Sequence, residues 1–173
     1  MKGGPAIAEG ATTIEFVGDR VSLRRIDLLD TGGDFPSALA HELVHVVLAD
    51  HFTAGPPPRW ADEGLATLFD DLDRQVRHEA DHAAAASRGQ AWSIRELVAL
   101  ELDPADSNRQ RVFYGQSASL VRWFLARSDG PAFIAFLDRL AEAGFGPALA
   151  DTYGIASADA LEMEWRSTPV PVR

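Results

Sequence analysis

His41-Glu42-Leu43-Val44-His45 restricts the fold of this chain more than any other stretch, because its two histidines converge only if the backbone there is helical. An α-helix turns about 100° per residue, so side chains four apart lie about 40° apart on one face, and two imidazoles so placed can share one metal ion. Glu42 then stands beside that ion and not on it. A carboxylate must be there to take a proton from a water whose pKa a zinc ion has lowered to about 7. The flanks agree with a helix. Asp34 and Pro36 supply an N-cap and first-turn signal, and Leu39, Leu43, Val46 and Val47 recur at helical spacing, which predicts an apolar stripe.

The chain has 173 residues, enough for one domain with a single core and too few for two comfortable ones. We read it as one unit with a core over about residues 12–166 and a loose tail over 167–173, where two prolines interrupt the sequence. A net charge of -10 argues against a nucleic-acid partner, since little here would neutralise phosphates. With no cysteine there is neither a disulfide nor a thiolate ligand, so a metal has to be held by histidine and carboxylate. The opening residues lack an apolar signal-peptide core, and no run of about 18 apolar residues occurs, so no membrane segment is expected. The expectation is a cytoplasmic protein or a domain excised from a larger one.

Residues 12–17 and 20–26 are β-branched and apolar runs split by Gly18-Asp19, a pair suited to a type II′ hairpin turn. After them the pattern is helical. The spacing predicts a first helix over about 36–50, a break at Gly55-Pro56-Pro57-Pro58, and one long helix from about Trp60 into the alanines at 83–86. Ser93-Ile94-Arg95-Glu96 matches a capping box and opens a short helix to about Leu102, stopped by Asp103-Pro104. Further helices are expected near 115–127, 131–143, 147–153 and 157–166. The fold class is therefore α+β and predominantly helical, with a small N-terminal antiparallel β element, the motif-bearing helix and a helical C-terminal body. Trp60, Trp92, Trp123 and Trp165 read as core or pocket-wall residues.

A catalytic zinc normally has three protein ligands, so His41 and His45 need a third. Three readings compete. Glu63 lies eighteen positions after His45, early in the next helix, and the intervening prolines let that helix fold back beside the first. His51 lies six positions after His45, at metzincin spacing, yet in a continuous helix it sits about 120° around the axis from His45. Reaching a shared ion would need a sharp turn at Leu48, where a branched side chain resists one. Without a metal, His51 reads as a solvated residue at a helix C-terminus. His78-Glu79-Ala80-Asp81-His82 repeats the motif literally, but between Arg77 and an alanine run it reads as an exposed helix surface with intrahelical charge pairing.

His41-Glu42-Leu43-Val44-His45 followed by Trp60-Ala61-Asp62-Glu63-Gly64-Leu65-Ala66 resembles the gluzincin metallopeptidases, in particular the compact, mostly bacterial domains grouped as peptidase MA-like. The likeness extends through Tyr114-Gly115-Gln116-Ser117-Ala118-Ser119-Leu120-Val121 and the closing Tyr153-Gly154-Ile155 and 161–165, most of the chain from 35 to 166. The resemblance implies a zincin-like fold with zinc held by His41, His45 and Glu63. It also implies Glu42 as general base, Tyr114 as a donor to the oxyanion, and a peptide or protein substrate. Two departures stand out. Where larger gluzincins carry an aspartate that orients the first histidine, this chain has Thr67, leaving that task to its hydroxyl or to Asp70 or Asp71. Zincin sheets generally have three or more strands, whereas only a hairpin is visible here. The expectation is a zinc peptidase; its rival is a non-catalytic zinc-binding or protein-interaction module on the same scaffold. Structural zinc sites are normally closed by four ligands and need no Glu42, which favours the enzyme.

Overall fold

The computed structural model of the protein describes residues 9–29 and 38–167, so the expected cap at Asp34 and Pro36 and all but the start of the tail lie outside the described residues. Strands β1 (Gly10–Val17) and β2 (Arg20–Leu28) form a two-stranded antiparallel sheet. At the turn Gly18 has φ 61 and Asp19 keeps a negative φ, the pattern of the type II′ turn. The hairpin lies against α1 (Leu39–His51), the helix that carries the motif.

After α1 the prolines carry the chain to α2 (Arg59–Thr67). The long helix expected from Trp60 does not form. The chain leaves α2 at Thr67 and starts again as α3 (Leu72–Ser87), and two polar side chains hold the break. Asp71 accepts from the Arg74 amide at 2.8 Å as the N-cap of α3. Gln75 Nε2 donates to the carbonyls of Leu68 (3.0 Å) and Asp70 (2.8 Å), which the end of α2 leaves over. No glycine or proline marks this break, so the periodicity runs through it. As a consequence Asp70 falls in the corner and turns inward, buried.

Helix α4 (Ile94–Val98) has the predicted capping box but stops at Val98, short of Leu102. Helix α5 (Ser107–Arg127) begins at an Asp106 cap, well before the expected start at Gly115. Gly115 sits mid-helix because α3 crosses there: a Cβ on it would lie 2.0 Å from the His78 carbonyl oxygen. Gly64 does the same where α2 crosses α5, with Ser117 O and Val121 Cγ2 each 2.7 Å from where a Cβ would stand. Glycine here permits close helix approach and does not end an element. Helices α6 (Gly130–Ala143), α7 (Phe145–Tyr153) and α8 (Ala158–Ser167) form close to the predicted bounds.

The core lies around α2 and α5. Trp60 is fully buried, with Phe124, Phe133, Phe136 and Phe145 around it at ring-centroid distances of 6.0 to 6.5 Å. All four tryptophans are buried, as the sequence led us to expect. Gln116, fully buried on α5, accepts from the Trp92 amide at 3.1 Å and donates to its carbonyl at 2.6 Å, fixing the loop before α4. Among the described residues no helix is long and apolar enough to cross a membrane. The whole is α+β and predominantly helical.

Candidate metal centre

The inward face of α1 is not the apolar stripe predicted. Leu43 and Val47 are exposed, at 45% and 66%, while Glu42, Leu48 and Ala49 are buried and His41 and His45 largely so. Counting 38, 41, 42, 45, 48 and 49 gives a regular helical stripe of Ala, His, Glu, His, Leu and Ala. Three of those six are ionisable, so a hydrophobicity pattern cannot find this face. Each meets a polar group from outside α1: Thr12 for Glu42, Asp62 for His45 and Asp70 for His41.

His41 and His45 both present Nε2 to Glu63 on α2, at 3.5 Å to Oε2 and 3.8 Å to Oε1 respectively. The ligand atoms of these three residues all lie within 4.8 Å of one another, and among the described residues they form the group able to hold a metal ion. Bonds of about 2 Å to a tetrahedral ion put ligand atoms about 3.3 Å apart, close to the spacings seen. Each far nitrogen also faces a carboxylate. Asp62 Oδ1 lies 2.7 Å from His45 Nδ1, and Asp70 Oδ1 lies 3.2 Å from His41 Nδ1. A carboxylate on Nδ1 holds the proton there and leaves the Nε2 lone pair for a metal. Burial pulls the pKa of His41 down, but Asp70 and Glu63 outweigh it and raise it to about 9. His45 likewise ends raised, Asp62 outweighing its burial. A metal must displace those protons to bind.

Of the three residues that could orient His41, Asp70 is the one that lies against it, 3.2 Å from Nδ1. The Thr67 hydroxyl is buried without a hydrogen-bond partner, and Asp71 is occupied as the α3 cap. Glu42 points to the hairpin, where Thr12 Oγ1 donates to its Oε2 at 2.7 Å. Gly10 makes the room, since a Cβ there would stand 2.7 Å from Glu42 Oε1. Glu42, the three candidate ligands and Tyr114 line one cleft of about 940 Å³ between β1, α1, α2, α3 and α5.

Tyr114 is half-buried in the cleft wall, in the middle of α5. Its hydroxyl donates to Asp103 Oδ2 at 3.1 Å and accepts from Gln110 Nε2 at 3.0 Å. Burial and the nearby carboxylates of Glu63 and Asp103 raise its pKa, so the hydroxyl keeps its proton.

The other two readings of the third ligand are not brought to this point. His51 ends α1 half-exposed, 3.1 Å from Asp138 on α6. The second motif is not the exposed surface expected. Where α3 meets α5, His78 sets its ring edge-on to Tyr114 at 5.6 Å, and His82 stacks on Trp165 at 5.5 Å. Burial lowers the pKa of both. The crossing that Gly115 permits turns them inward.

Sequence reasoning missed Asp62, Arg59, Asp103, Thr12 and Gly10. The i,i+3 and i,i+4 spacing of Arg59 to Asp62 and Glu63 was the available signal. Asp103 and Thr12 act across 44 and 30 residues and left none. No protein-family model, curated protein or solved structure matches this chain.

Proposed function

We propose that this chain is a zinc-dependent metallopeptidase of the gluzincin type. The observation that carries the reading is the paired orientation of the histidines: both turn Nε2 to Glu63 and Nδ1 to a separate carboxylate, with Glu42 on the same cleft. A His, His, Glu set without sulfur suits zinc, and three protein ligands are the number a catalytic zinc takes. When bound, the ion supplies Lewis acidity, polarising a carbonyl and acidifying water.

The chain's own residues do the rest. Glu42 accepts a proton from the water as its oxygen bonds to the scissile carbonyl carbon, then delivers that proton to the amide nitrogen as the C–N bond breaks. Thr12 fixes the Glu42 rotamer for both transfers. The strand β1 borders the cleft, and among the described residues only one of its edges is taken by β2, so an extended peptide has an edge to pair with. The zinc-loaded chain should cleave a mixed peptide library, read by mass spectrometry, and should stop on chelation and resume on adding zinc. Stoichiometric zinc with every peptide intact would turn the reading to the non-catalytic module.

Tyr114 is the oxyanion donor in this scheme, and its hydroxyl must leave Asp103 to act. Tyr114→Phe should therefore lower kcat by about 10²-fold with KM little changed. An unchanged kcat with a lowered melting temperature would return Tyr114 to a packing role.

A further inference from the structure

Arg59 opens α2, and its guanidinium reaches three carboxylates that each stand one step from the proposed chemistry. Its Nη2 lies 2.5 Å from Glu63 Oε1, the carboxylate that offers its other oxygen to His41. Its Nη1 donates to Asp62 Oδ2 at 3.2 Å, and Asp62 Oδ1 holds His45 Nδ1. Its Nε and Nη2 grip Asp103 Oδ1 and Oδ2 at 2.8 and 2.9 Å, and the same Oδ2 accepts from Tyr114. The residue is about two-thirds buried, and Asp103 is the contact far away in sequence.

We infer that Arg59 is a positioning residue, setting which oxygen of Glu63 faces the metal and tying that choice to the orientation of His45 and Tyr114. This rests on the peptidase reading for its purpose, but its geometry is that of the side chain alone. A carboxylate on a metal has two equivalent oxygens and swings between them unless one is held. Oε1 lies against Arg59 and also 3.8 Å from His45 Nε2, so the guanidinium competes for that oxygen, while Oε2, 3.5 Å from His41 Nε2, has no contact with Arg59 and is left to the ion. Only a planar fork with several donors can serve three carboxylates at fixed angles; an ammonium group is one compact charge on a flexible stem. Charge points the same way, since Asp62, Glu63 and Asp103 crowd one guanidinium and would repel each other without it.

The test is Arg59→Lys, which keeps the positive charge and removes the fork. Zinc affinity, measured by competition with a chromophoric chelator, should fall by about tenfold or more, as for other residues that orient metal ligands. The visible spectrum of the cobalt-substituted protein should shift, because the carboxylate then has two ways to bind. A solely structural residue would lower the melting temperature of the metal-free chain and leave both readouts alone. Zinc affinity within about twofold of the wild type, with an unchanged cobalt spectrum, would overturn the inference. If Arg59→Lys does not fold, Asp103→Asn tests the same link from the far end. It should weaken zinc binding and move the cobalt spectrum in the same sense, and no change in either would again overturn the inference. Failure of the wild-type chain to bind zinc at all would instead remove the peptidase reading.

Discussion

Glu63→Ala should purify without stoichiometric zinc, while His51→Ala and His78→Ala should each keep about one ion per chain, measured by elemental mass spectrometry on the folded variants. Glu63 is the residue that both histidine Nε2 atoms face, and its loss leaves two ligands on one helix, a set too small for a stable site. The loss should exceed the 10- to ~100-fold typical of removing a residue that only orients a ligand. His51 is turned to Asp138 at the end of α1, so its removal touches an exposed pair and little else. His78 stands 4.0 Å from Asp70, close enough to trim the site's field but on the far side of that carboxylate from His41. Stoichiometric zinc in Glu63→Ala together with its loss in His51→Ala would move the chain to the metzincin-like arrangement.

What the sequence made legible was whatever depends on near neighbours along the chain. The motif helix, the hairpin with its Gly18-Asp19 turn, the capping box at Ser93 and the proline break before α2 all follow from residues within a few positions of each other. What was not legible depends on which helix lies beside which. Gly115 looks like the start of a helix in sequence and Gly64 like an unremarked position within one, and both are crossings because α5 packs against α2 and α3. The same crossing turned the second histidine pair inward and so reversed the reading of an exposed surface. The inward face of α1 was misjudged for a related reason. A hydrophobicity pattern scores His41, Glu42 and His45 as outward residues, and only Asp70, Asp62 and Thr12, from three other elements or turns, make them inward ones. Local conflict with the binary pattern is expected where residues serve chemistry, and here it falls on the candidate site.

Glu42→Gln should separate binding from chemistry. The amide keeps the shape of the carboxylate, can still accept from the Thr12 hydroxyl, and fits the space that Gly10 leaves, so the hairpin contact and the fold should persist. Glu42 is not among the three candidate ligands, so zinc content should match the wild type. What the amide cannot do is take a proton from water and return it to the leaving nitrogen. General-base catalysis of this kind is worth about 10² to 10⁴, and because Glu42 serves both transfers the loss in kcat should lie at the upper end of that range. Zinc content and peptide turnover are measured on the same preparation, so the outcomes are distinct. Full zinc with turnover near the wild type would mean Glu42 is not the base. Lost zinc would mean that its carboxylate shapes the metal site through β1, so Thr12→Ala, which removes the hydroxyl anchor alone, should then lose zinc as well. Retained zinc with abolished turnover leaves Glu42 as the proton carrier, and Thr12→Ala should then lower kcat while leaving zinc in place.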